Sequence, residues 1–252
     1  MTVNELYSKL TLLYPEELKA EWDNDGIMCC DDLEREVKRV LVALDVTMET
    51  VDYAVENGFD LIISHHPLVF NSQKSLVPTK FTQRKLIKLI KNNISVFSFH
   101  TRLDAANGGV NDILCELVGL INVSTDPVDP VGRIGYLHEK TQLSTFVENV
   151  KDALDTPFIL YNGNNDVKKV YVVGGDGKDL IERALSLGAD TLLTGRASYN
   201  TIIDAKDMGL NIIEAGHFFT ENPVCNEIVE DVLDIDSSLF VEIFTSYQLK
   251  NS

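Results

Sequence analysis

Apolar residues along this chain fall into short blocks, separated by stretches in which they recur every three or four positions. The blocks RVLVALDV (39–46), DLIIS (60–64), ISVFSF (94–99), GYL (135–137), FILYN (158–162), KVYVVG (169–174), TLLT (191–194), NIIEA (211–215) and SLFVEIF (238–244) predict β-strands. Stretches between them, such as TMETVDYAVENG, TQRKLIKLIKNN, TQLSTFVENVKDAL and NPVCNEIVEDVL, have helical periodicity. Several close on Gly or Asn, as helix C-termini prefer. Strand and helix alternate throughout, which predicts an α/β fold. The least patterned link is NVSTDPVDPVG (122–132), with its two prolines. It divides the chain into a first α/β half, 1–128, and a second, 129–252, whose C-terminal segment is free to pack back on the first.

The pattern repeats. VKRVLVALDVTMETVDYAVENGFDLIIS from Val37, shifted by 130 residues without a gap, lies on VKKVYVVGGDGKDLIERALSLGADTLLT from Val167. Seven of the 28 positions are identical, Asp60 and Asp190 among them, and most others keep apolar character. Each copy then runs through a helix to a third strand, and both strands end in His-x-x-x-acid: His100 with Asp104, and His217 with Glu221. These endings align at a shift of 117, so the first copy carries a loop 13 residues longer, around VFNSQKSLVPTK. Two similar halves from an internal duplication are therefore expected. Ligands of open α/β sheets bind beyond the carboxyl ends of the strands, so the two endings are expected to meet at one site at the interface of the halves.

Only the first half has a histidine pair at its second strand end, His65-His66-Pro67; the second has Gly195-Arg196 there. Neighbours on a strand point to opposite faces, so the pair is read as pointing apart, one histidine for each of two ions. Four of the five histidines follow predicted strands, and His138 is read as a surface residue. Imidazoles with carboxylates suit Zn, Mn, Fe, Ni or Co. His65, His66, His100, Asp104, His217 and Glu221 are too many donors for one catalytic zinc, and a two-ion centre uses such a set well. The plain alternatives are histidines capping strands and i,i+4 surface pairs.

Composition narrows the function classes. At 252 residues and a net charge of −17, the chain lacks the basic surface that tracks nucleic-acid phosphates. It has no run of apolar residues long enough for a membrane span, and MTVNELYSKLTLLYP does not read as a signal peptide. Cys29, Cys30, Cys115 and Cys225 have no C-x-x-C spacing and are read as reduced thiols of a cytoplasmic protein, without a catalytic role.

With these elements in place, the chain resembles the NIF-three-like family, proteins named as GTP cyclohydrolase type 2 homologues. The segments that carry the resemblance are WDNDG (22–26), LVALDVT (41–47), DLIISHHPLVF (60–70), HTRLDAANGGVND (100–112), GRIGYL (132–137), GADTLLTGR (188–196) and DAKDMGLNIIEAGHFFTE (204–221). They span nearly the whole chain and match the family's short form. The resemblance implies two interlinked α/β domains in a homohexamer, with the metal sites facing the interior. It also implies two divalent ions held by His65, His66, Asp104, His217 and Glu221, Glu221 bridging them, with His100 as general base or supporting partner. The activity implied is metal-dependent hydrolysis of a small nucleotide-like substrate, extending to GTP cyclohydrolase-type ring opening. A non-catalytic metal-binding or scaffold protein is the alternative.

One departure stands out. Where the family usually has Thr-Gly-Glu, with a histidine soon after, this chain has Thr194-Gly195-Arg196 and Tyr199. Arg196 is read as a grip on a phosphate or carboxylate of the substrate, or as a peripheral surface residue. VVGGDGKDL (172–180) reads as a tight glycine turn before an anion cradle, WDNDG as a turn first, with a contact from Asp23 or Asn24 to the site as the alternative, and Asp45 as a residue leading into the helix that Thr47 caps.

Overall fold

The computed structural model describes residues 1–246, which form two compact units. The first comprises Met1–Ala106 and residues 224–246, and the second Asn107–Pro223. The chain thus leaves the first unit, builds the second and returns. The division falls at 106/107, while the sequence pattern suggested 128/129.

In the first unit, α1 (Val3–Leu13) precedes β1 (Gly26–Cys29), β2 (Arg39–Ala43), α2 (Met48–Glu56), β3 (Leu61–Ser64), α3 (Phe81–Lys91), β4 (Ser95–Ser98) and the short α4 (Thr101–Ala105). After the excursion come α10 (Val224–Ile235) and β11 (Phe240–Ile243). The strands lie in the order β1-β4-β3-β2-β11, parallel except for β1. Alternate residues face opposite ways: Leu41, Ile62 and Val96 pack with Val51, Ala54, Leu86 and Leu89 of α2 and α3 in one core. Val40, Val42, Leu61, Ile63 and Phe97, also buried, belong to the other face.

The second unit contains α5 (Val110–Leu117), β5 (Ile121–Thr125), β6 (Arg133–Thr141), α6 (Leu143–Ala153), β7 (Leu160–Asn162), β8 (Val167–Asp176), α7 (Ile181–Ser186), β9 (Thr191–Arg196), α8 (Tyr199–Asp207), β10 (Asn211–Glu214) and α9 (His217–Glu221). Its sheet has the order β5-β6-β8-β9-β10-β7, with a parallel centre, β8-β9-β10, and antiparallel flanks. Both faces are covered. Val170, Val172, Leu193 and Ile213 pack with α5 and α6, whereas Tyr171, Val173, Leu192 and Ile212 pack with α7 and α8.

The repeat is visible in the hydrogen bonds. Asp60 caps the start of β2, accepting from the amides of Lys38 and Arg39; Asp190 does the same for Lys168 and Lys169 at β8. Val40 pairs with Leu61, and Val170 with Thr191, the same register 130 residues on. The third strands differ by one residue. Phe99 N donates to Ser64 O and Ala215 N to Thr194 O, a shift of 116 in the third strand, whereas the histidines that follow are 117 apart. The extra residue is Gly216, whose φ of +88° turns the chain into α9.

Two strands lie beyond the sequence expectation. β1 spans only four residues at a sheet edge, and β5 occupies part of the 122–132 link. All five β5 residues are exposed, so the strand has no buried alternation to betray it.

Candidate metal centre

Three histidines and an acid come together at the carboxyl ends of β3 and β4. β3 stops at Ser64, and the chain bends at once: Ser64 Oγ donates to His66 O at 2.9 Å, and His66 N donates to Leu44 O at 2.9 Å. His65 and His66 therefore lie past the strand. Their ring centroids are 5.0 Å apart, which corrects the expectation that the pair points apart across a sheet. The alternation that would separate them applies only while the backbone stays extended and paired. His100 joins them, its centroid 5.3 Å from His65 and 5.8 Å from His66. One ring nitrogen from each of the three lies within 4.8 Å of the others, so the group could hold a metal ion.

Each ring is oriented by a partner at Nδ1. His65 Nδ1 meets Phe99 O at 2.9 Å, His66 Nδ1 meets Asp45 Oδ1 at 2.8 Å, and His100 Nδ1 meets Asp23 Oδ1 at 2.8 Å. A carbonyl and an ionised carboxylate only accept, so Nδ1 carries the proton in all three. Nε2 is then the nitrogen that each neutral ring can turn toward the cluster. Such outer partners are the usual means of orienting metal-binding imidazoles. Asp104 adds a carboxylate, its Oδ1 3.6 Å from His65 Nε2 and largely buried. Its facing His65 from inside α4 rules out a plain surface pair with His100.

Asp23 does more than shape a turn. It accepts from His100 Nδ1 and from both the amide (3.1 Å) and the hydroxyl (2.6 Å) of Thr101. Burial alone would raise its pKa, but these hydrogen bonds outweigh burial and lower it to about 2. Burial likewise pulls His100 down, while the hydrogen bond to Asp23 and the charges of Asp104 and Asp23 outweigh it and leave the ring more basic than usual. Beneath α4, the fully buried Arg102 fixes the segment: Nε donates to Asp25 Oδ2 at 2.9 Å, Nη1 to Tyr14 O at 3.2 Å and Nη2 to Tyr7 Oη at 3.1 Å.

In the second unit, His217 Nε2 and Glu221 Oε2 are 2.9 Å apart on one face of α9, with Glu221 buried. The glycine turn after β8 explains how this helix seats. A Cβ on Gly175, whose φ is +65°, would sit well inside contact distance of Glu221 Oε1. A Cβ on Gly195 would come 2.8 Å from both Gly175 O and His217 Cα. Gly175 N donates to Thr220 Oγ1 at 3.2 Å, and Gly174 N to Asn111 Oδ1 at 2.6 Å. VVGGDGKDL thus makes room for α9 and its carboxylate.

Asp45 and Asp23, which the sequence presents first as a helix-entry residue and part of a turn, both hold histidines of the cluster. The available signal was position: Asp45 follows β2, the strand next to the one that leads into His65-His66. Arg196 is exposed at the end of β9, and His138 is exposed, as expected. Burial pushes the thiol of Cys29 up to about 11 and those of Cys115 and Cys225 up to about 12, which suits a structural role.

An α/β chain of two units with clustered histidines and acids at strand ends defines a class of candidate metal-binding proteins. The sequence matches the family model of Duf34/NIF3 (NGG1p interacting factor 3) over residues 1–251, and the chain belongs to that family. It is 37% identical to a Clostridium perfringens protein named GTP cyclohydrolase 1 type 2 homolog, across 100% of this chain and 98% of that one. Among solved structures it resembles Staphylococcus aureus hypothetical protein SA1388, with a TM-score of 0.88, 26% identity and 99% of each chain covered. A Bacillus cereus protein related to NIF3 gives a TM-score of 0.87 at 26% identity, covering 100% of this chain and 98% of the other. Among the described residues no helix is long and apolar enough to cross a membrane.

Proposed function

We propose that this protein is a metal-dependent hydrolase of a nucleotide-like substrate. In this reading His65, His66 and Asp104 of the first unit and His217 and Glu221 of the second would hold two divalent ions. The observation that carries it is the convergence of His65, His66 and His100, each ring held at Nδ1 by an acceptor and one ring nitrogen of each within 4.8 Å of the others. Three imidazoles with carboxylates and no cysteine among them form a donor set that suits Zn, Mn, Fe, Ni or Co. The repeated His-x-x-x-acid endings support drawing ligands from both units.

Bound ions would supply Lewis acidity and make water a nucleophile near neutral pH. The chain's own groups do the rest. Phe99 O and Asp45 hold the rings of His65 and His66, so these need little reorganisation on binding. His100 Nε2 takes the proton that the attacking water gives up and returns it to the leaving atom, while Asp23 stabilises the charged ring. Arg196, exposed at its strand end, grips an anionic group of the substrate. The relatives' name suggests GTP, with a purine-ring carbon as the attacked atom. The same reading takes the protein as a cytoplasmic homohexamer, which light scattering would reveal.

A screen of nucleotides against apo and metal-reloaded protein tests the function. Turnover should appear only on reloading and disappear in His100→Ala. Unfolding on chelation, with no nucleotide hydrolysed by any preparation, would instead favour a non-catalytic metal-binding or scaffold protein.

A further inference from the structure

Two large aromatic side chains stand in the open beside His100. Trp22 is 67% exposed and Phe70 50% exposed. Their ring centroids are 6.2 Å apart, with an interplanar angle of 54°. Each also meets His100 edge-on, Trp22 at 6.2 Å and Phe70 at 6.5 Å.

The turn and the loop that carry the two rings are tied down from behind. Trp22 lies in a turn closed by Asp23 N donating to Ala20 O at 3.0 Å, and Ala20 N donates to Thr101 Oγ1, also at 3.0 Å. Asn24 Nδ2 donates to Val69 O, which ties the backbone next to Phe70 to the same turn. Trp22, Asp23 and Asn24 thus divide the work: one offers a ring, one holds His100, one holds the loop that carries Phe70. Anchoring their segments so that two apolar rings stay exposed opposes the burial they would otherwise favour. A planar ligand would recover that area by stacking.

We propose that Trp22 and Phe70 form a stacking corner for a planar heteroaromatic ring, such as a nucleobase, and deliver it to His100. This deepens the hydrolase reading and rests on it for the role of His100. At 54° the two rings make a corner and not a parallel slot, so the guest stacks on one face and meets the other with its edge. Recognition through π-faces is tolerant of the base and demands a ring.

Trp22 is the only tryptophan of the chain, so its fluorescence reports on this corner alone. The experiment titrates the full-length protein, metal-loaded and chelator-treated, with guanosine, GTP and inorganic triphosphate. Saturable quenching by guanosine and GTP, with none by triphosphate, is expected. Phe70→Ala and Phe70→Leu should both weaken it by about five- to hundredfold. Calorimetry with Trp22→Leu should show a similar loss, which covers the case of a Phe70 variant that folds poorly. Equal quenching by triphosphate, no saturable quenching by either guanosine compound, or unchanged affinity in all three variants would overturn the proposal. Emission that shifts on protein dilution and ignores ligand would assign the corner to a second copy of the chain and overturn it too. Ring-dependent quenching without turnover upholds the corner and removes the hydrolase reading; turnover without ring-dependent quenching removes the corner alone.

Discussion

Asp23 holds His100: Nδ1 of the ring donates to the carboxylate at 2.8 Å, and Thr101 binds the same carboxylate through its amide and hydroxyl. The arrangement fixes which nitrogen of His100 is protonated and supplies a negative charge behind it. Asp23→Asn keeps the shape and removes the charge. Turnover should fall by about 10- to 100-fold, with metal content and circular dichroism unchanged. Asp45→Asn, behind His66, should instead weaken metal binding by a similar factor in a competition titration with a chelator dye.

The seat of Glu221 can be tested by adding one methyl group. Gly175→Ala introduces a Cβ against Glu221 Oε1 at a residue with φ of +65°. Gly188→Ala is the matched control in the same unit: its φ is +70°, yet its Cβ would meet only Lys169 Nζ, at 3.8 Å. The control should lose about 1–2 kcal/mol from backbone strain alone and keep its metal. Gly175→Ala should lose more in a denaturant titration and bind metal more weakly as well. Equal behaviour of the two variants would remove the close-approach explanation of the glycine turn.

Arg102 is the largest fully buried charged side chain of the first unit, paired with buried Asp25. Arg102→Leu leaves that buried carboxylate with only the distant Lys19, 3.9 Å away, and should cost about 3–5 kcal/mol in urea unfolding. Adding Asp25→Asn should recover part of the loss, because the second change removes the stranded charge. Additive losses in the double variant would argue that packing, and not the ion pair, is what Arg102 provides.

Asp126 makes the second unit sensitive to acid. Burial raises its pKa, but hydrogen bonds from Arg183, the Val128 amide, Tyr171 and the Asp129 amide outweigh burial and hold the carboxyl well below its usual range. A pKa lowered on folding contributes stability that is complete above the unfolded value, about 3.9, and lost as pH falls toward the folded one. Urea midpoints of the wild type should therefore drop between about pH 5 and pH 3, and Asp126→Asn should flatten that slope.

Much of this protein was legible from its sequence because buried strands carry their own pattern. The nine apolar blocks all correspond to strands, and the shift of 130 between repeats reappears in the pairing of Val40 with Leu61 and Val170 with Thr191. β5 was hidden because none of its side chains is buried. The orientation of His65 and His66 was hidden for another reason: it depends on where hydrogen bonding stops, at Ser64, and on a bend that periodicity does not encode. Asp45 and Asp23 act through residues 21 and 77 positions away. Such partners are set by which strand ends are neighbours, a property of topology more than of local sequence.

Metal content is the most direct test of the central claim. The purified protein is stripped with chelator, incubated in turn with Zn, Mn, Fe, Ni and Co salts, desalted and subjected to elemental analysis. About two divalent ions per chain are expected for at least one of these metals. His65→Ala and His217→Ala should each lower that number while the fold, followed by circular dichroism, persists. Failure of every metal to remain bound in stoichiometric amount, or an unchanged content in both variants, would contradict the assignment of His65, His66, Asp104, His217 and Glu221 as ligands.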